Sequence, residues 1–151
     1  MVRKNNEDRP QHYIQLDFDK IKAVLANNNP EKDLDKCLLL DALRSRVNKT
    51  RGALMKREVI LSFVLNDIFN LKKKEGEAIK NLLTSKNQAV ITKTMQFFNA
   101  LTKDYFGRNY LSCEMVVNNA ITLLRNEKLD DHIVVITVSF LQQLSVRKNA
   151  Q

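Results

Sequence analysis

The sequence predicts an all-α protein of about six or seven helices stacked on one another, and three observations predict it. Gly and Pro are scarce, three and two in 151 residues, too few for the tight turns of a sandwich or barrel. Apolar residues make up 44% and recur at helical spacing along most of the chain. Two long segments also repeat one another, about 41 to 43 residues apart.

Residues 1–13 are polar and mixed in charge, a flexible N-terminal segment and no signal peptide; residues 14–151 form the helical domain. A first helix spans Gln15 to Ala26, with Asp17 or Asp19 as its cap, and Asn27-Asn28-Asn29-Pro30 ends it. A second runs from Glu31 to about Val47 with Leu34, Cys37, Leu38, Leu40 and Leu43 as a broad apolar stripe. Asn48 to Gly52 is a basic turn. The third helix, Ala53 to Asn70, is apolar over much of its circumference, and a short fourth covers Glu77 to Thr84. Ser85 and Gln88 have the spacing of a capping box for a fifth helix reaching Lys103, and Gly107 stands where a left-handed helix end falls. Ser112 to Arg125 is the sixth. The β-branched run Ile133 to Val138 suits a buried strand, but Phe140, Leu141 and Leu144 continue it at helical spacing and no second strand would satisfy its backbone. It reads as a seventh, buried helix.

The repeat ties these helices together. Leu82-Leu83 recurs as Leu123-Leu124 at a spacing of 41, and Phe98 to Leu101 recurs as Leu141 to Leu144 at a spacing of 43. Each copy is a helix ending in a Leu pair, a polar turn, then a long helix closing on an apolar-x-x-Leu motif. A third copy begins at Leu39-Leu40. A period of 40–47 with two or three helices per unit is that of armadillo and HEAT solenoids, in which neighbouring units bury a core that none buries alone. The stretch Ala120 to Ser145 resembles the armadillo junction, without the usual Gly between a repeat's first two helices. The expected fold is therefore a short armadillo/HEAT-like right-handed α-solenoid. An apolar last helix with no polar unit behind it predicts a longer parent array or a partner on that end.

A narrower resemblance rests on Leu38 to Arg51, Arg57 to Asn70 and Val138 to Lys148. These segments are similar to the armadillo region of a ciliary protein family in which a LisH motif precedes a coiled coil and an armadillo array. This chain carries no LisH motif. The resemblance implies a place at basal bodies and ciliary tips, on the cytoskeleton, in a module that regulates microtubules.

Charge points to the same kind of role. The net charge is +8, and residues 42–57 hold Arg44, Arg46, Lys49, Arg51, Lys56 and Arg57 with no acidic residue among them. Lys72, Lys73 and Lys74 add a second cluster. Such a basic hairpin raises the local concentration of acidic partners. Tubulin, whose exposed tails are acidic, or a microtubule-associated protein is the partner the resemblance implies. Nucleic acid is the rival partner, although no aromatic residues interleave with these cations to stack bases. Tyr105 and Tyr110 are candidate anchors for a partner peptide, and Asn99 matches in type the asparagines with which armadillo grooves hold a peptide backbone.

Catalysis finds little support. His12 and His132 have no nucleophile at relay spacing, the three Gly are isolated, and Asp130-Asp131 reads as the cap of the last helix. Cys37 and Cys113 read as buried, reduced thiols, which favours a cytoplasmic chain. No apolar run reaches the roughly 20 residues that span a bilayer. No enzyme activity, cofactor or metal is expected.

Overall fold

The structure is a computed structural model and describes residues 16–72 and 76–150, the last five of these by backbone alone. The N-terminal segment 1–13, His12, Lys73 and Lys74 lie outside the described residues. Eight α-helices and no strand are found among the described residues: α1 (Phe18–Ala26), α2 (Asp33–Lys49), α3 (Ala53–Leu65), α4 (Glu77–Leu83), α5 (Gln88–Leu101), α6 (Tyr105–Leu111), α7 (Glu114–Leu124) and α8 (Asp131–Ala150). A 3-10 turn, Pro30–Lys32, leads into α2.

The packing has a period of three helices. Helix α5 lies between α2 and α8, α4 between α1 and α7, and α6 against α3. The chain therefore builds units α1–α2–α3 and α4–α5–α6, and α7 and α8 take the first two places of a third. One register runs through the long row. The buried positions of α2 are Lys36, Leu40, Leu43 and Val47, those of α8 are Ile133, Thr137, Phe140 and Leu144, and Val90, Thr94, Phe97 and Leu101 share this spacing on α5. All three sets step by four, three and four residues, which keeps one helical stripe facing the core. The β-branched run Ile133 to Val138 lies inside α8, so it is helical, as its continuing apolar period required.

Aromatic rings bind the units to one another. Phe63 of α3 meets Phe97 of α5 edge-on at 5.7 Å, Phe69 meets Phe98 at 5.3 Å, and Phe98 reaches Phe140 of α8 at 5.2 Å. Side-chain amides add main-chain contacts between units: Asn81 donates to the Ala26 carbonyl and Gln88 to that of Lys128. The Gln88 oxygen also accepts from the Asp130 N–H at 3.0 Å, so one side chain clamps the α7–α8 turn.

Several local expectations are corrected. Asn87, not Ser85, caps α5, accepting from the Ala89 N–H at 2.9 Å, while the Ser85 hydroxyl accepts from Asn87 N–H and Gln88 is spent on the clamp. Gly107 is no left-handed helix end. It lies inside α6, a helix added to the six or seven expected, where a Cβ would strike the Leu101 carbonyl. Helix α3 stops at Leu65, because Asp67 and Asn70 take positive φ (49° and 54°) and turn the chain. Leu39-Leu40 lies within α2, so the first unit's short helix is α1, ending near Leu25. Leu34 and Leu38, expected on the buried stripe, are exposed.

Candidate interaction surface

The C-terminal turn of α2, the link Thr50–Gly52 and the start of α3 form an open cleft of ≈ 710 Å³. Its wall consists of Ala42, Ser45, Arg46, Lys49, Thr50, Arg51 and Met55. The turn is set locally: the Thr50 hydroxyl donates to the Arg46 carbonyl at 2.5 Å, and Gly52 adopts φ 85°, which an L side chain resists. The cations at this end also complement the negative end of the α2 dipole.

The structure sorts the six cations of the hairpin. Arg44 turns back onto α5, donating to the Gln96 oxygen at 3.0 Å with Asp41 at 3.7 Å. Arg57 donates to Asp104 at 3.0 Å and lies 5.9 Å over the Phe106 ring. These two hold units together. Among the described residues, Lys49, Arg51 and Lys56 are held by no side-chain hydrogen bond or ion pair, and Lys49 and Arg51 are exposed on the cleft while Lys56 is half-buried. Arg46 lines the same wall. Gln96 and Asp104 lie 52 and 47 residues from their partners, a distance at which spacing gives no signal. Ser45 and Met55 complete the wall without any motif to mark them.

The other sequence candidates lie elsewhere. Tyr105 is exposed at the start of α6, its ring against Phe106. Tyr110 is turned inward: its hydroxyl donates to Asp67 at 2.6 Å and accepts from the Phe69 N–H at 3.0 Å. Burial, with the Asp67 hydrogen bond next, pushes the Tyr110 hydroxyl far above the ordinary tyrosine range. Burial alone would raise the Asp67 carboxyl. Hydrogen bonds from Tyr110, the Lys72 N–H and the Leu71 N–H outweigh it and hold the group below its usual value. Asn99 lies on α5 and donates to the Ile136 carbonyl of α8 at 3.3 Å. His132 meets the Thr92 hydroxyl at 3.3 Å, again between α8 and α5.

Cys37 and Cys113 are unpaired and half-buried, and burial pushes the Cys37 thiol up. No group of three His, Cys, Asp or Glu that could hold a metal is found among the described residues, nor a helix long and apolar enough to cross a membrane.

No protein-family model and no solved structure matches this chain. Among curated proteins it is similar to the LisH domain-containing protein ARMC9 of Xenopus tropicalis, 26% identical over 140 residues that make up 92% of this chain and 17% of that protein. The same protein of Danio rerio is 28% identical over 137 residues (90% and 16%), and that of Bos taurus 27% over 140 (90% and 20%). The chain thus spans between 16% and 20% of the length of these relatives, and its sequence is distantly related to that one segment of LisH domain-containing protein ARMC9.

Proposed function

We propose that this chain is a non-enzymatic protein-interaction module that docks an acidic segment of a cytoskeletal partner, tubulin or a microtubule-associated protein, in the cleft between α2 and α3, at the cilium. The observation that carries the reading is the sorting of the hairpin cations: two are used inside the fold, while Lys49 and Arg51 line a cleft with Ala42 and Met55 on its wall, and Lys56, also without a side-chain partner, follows Met55 in the chain. Exposed cations around an apolar wall suit carboxylates flanking a small apolar side chain, and they speed encounter with an acidic partner. The distant relation to LisH domain-containing protein ARMC9 supports a protein partner. Tyr105, exposed on α6, is a second contact in this reading. Tyr110 and Asn99 are engaged inside the fold, by Asp67 and by the Ile136 carbonyl, and are not contacts in this reading.

The test is co-sedimentation with stabilised microtubules across a salt series, with duplex DNA as competitor. The Lys49→Ser/Arg51→Ser/Lys56→Ser variant is expected to bind about tenfold more weakly, three unpaired charges at about 0.5 kcal/mol each. The Arg44→Ser variant is expected to bind as the parent does. Binding that DNA abolishes at modest salt would replace the reading with nucleic-acid association, and no binding at low salt would end the microtubule proposal.

A further inference from the structure

The outer face of α8 repeats the face that α5 buries beneath α8. The shared register places Val138 and Leu141 of α8, 43 residues on, where α5 has Met95 and Phe98. Met95 and Phe98 are completely buried, and Phe98 lies against Phe140 of α8. Val138 is 38% exposed, Leu141 is half-buried, and beside them a small cleft is lined by Ser112, Val117, Leu141, Leu144 and Ser145. A face that the fold covers once is presented a second time, uncovered.

The complementary face is also present. Helix α5 meets α2 through Lys93 and Gln96, which hold Asp41 and Arg44. The same register places Ile136 and Ser139 of α8 there, and the Ile136 carbonyl does meet α5 through Asn99. On α2 the matching residues are Leu39, half-buried, and Ala42, exposed. Exposure follows the same pattern. The middle unit, flanked on both sides, exposes one large apolar side chain, Tyr105, whereas α2, α3, α7 and α8 of the outer units expose Leu34, Leu38, Leu54, Leu65, Ile121, Val135 and Val138.

We infer that a second copy of this chain docks head to tail, its α2 face of Leu39 and Ala42 on the α8 ridge of Val138 and Leu141, continuing the row α2–α5–α8. The contact is heterologous, so each added copy presents a fresh ridge and growth does not close at a dimer. The ridge is apolar, so the association survives high salt, unlike binding at the basic cleft. Ala42 belongs to both this face and the wall of the basic cleft, and the two readings are told apart because this one is read from mass at high salt.

The experiment is analytical ultracentrifugation of the full chain at high salt over a wide concentration range. The mass is expected to rise from 17.5 kDa past the dimer without a plateau. Val138→Glu spoils the ridge and lies away from the basic cleft, whereas Ala42→Arg spoils the opposing face and adds a charge to the wall of that cleft. Each variant alone should stay monomeric and melt as the parent does. Mixed one to one, they should form a dimer and nothing larger, since each retains the face the other lacks. A parent chain that stays monomeric throughout overturns the inference and leaves the ridge to a helix of another protein. A parent that stops at a dimer, or variants that fail to pair when mixed, overturns it equally.

Discussion

The Tyr110 hydroxyl serves two residues of one connection at once, Asp67 and Phe69. Tyr110→Phe keeps the ring stacked 6.4 Å from Phe69 but leaves the Phe69 N–H without its acceptor. A buried donor left unpaired costs about 1–3 kcal/mol, which chemical denaturation will read as a lower midpoint with an unchanged slope. Asp67 makes the same site pH-dependent. Its folded-state value lies below the ordinary 3.8, so its contribution is present above that value and is lost as the pH falls through the lowered one. The stability gap between the parent and Asp67→Asn should therefore narrow below about pH 3.8. Tyr110 works at the other end of the scale: its raised value means its contribution fades only above the ordinary value of 10. Thr137 is a contrasting case. Its buried hydroxyl has no partner among the described residues, whereas Thr94, at the matching place on α5, donates to the Val90 carbonyl. Thr137→Val is expected to raise stability by about 1 kcal/mol in the same assay.

At the scale of the element, α6 separates what the sequence discloses from what it hides. The long helices α2, α5, α7 and α8 could be read from their apolar period, and the Leu-pair repeat correctly matched α4–α5 with α7–α8. Helix α6 has only seven residues and carries a Gly at its third position. Local propensity argues against a helix there, yet close packing on the Leu101 carbonyl requires a residue without a Cβ. Gly107→Ala is expected to cost about 1–3 kcal/mol by overpacking, measured as a fall in melting temperature. The same logic explains the misread start of α5. Ser85 and Gln88 have capping-box spacing, but Gln88 gains more by clamping a turn 40 residues away. In the interaction surface, the cluster of cations was legible as composition. Which of them are engaged by the fold was not, because the partners of Arg44 and Arg57 lie on another unit.

Across the whole molecule, the aromatic contacts make three units one cooperative body. Phe98 touches Phe69 and Phe140, so Phe98→Ala uncouples the units as well as opening a cavity. A loss of about 3–5 kcal/mol is expected, a large share of the 5–15 kcal/mol of a typical domain. Thermal unfolding of that variant should broaden, with the far-ultraviolet and near-ultraviolet transitions separating. Helix α5 is flanked on both sides and should show the slowest amide hydrogen exchange, with α1 and the distal half of α8 the fastest.

The spacing of the units carries a further consequence, one that concerns descent. From Lys36 to Val90 the register advances 54 residues, and from Val90 to Ile133 it advances 43, yet the same stripe faces the core. Helices α3 and α4 are joined by residues 66–76, whereas α6 and α7 are joined by 112–113 alone. Related genes should therefore hold their length between Leu111 and Glu114 and keep the buried pair Ile68 and Phe69 within the longer join. The first join is pinned to the core by Ile68 and Phe69, and the second is a seam at which a single inserted residue would turn α7 by about 100° and take its buried face off the core.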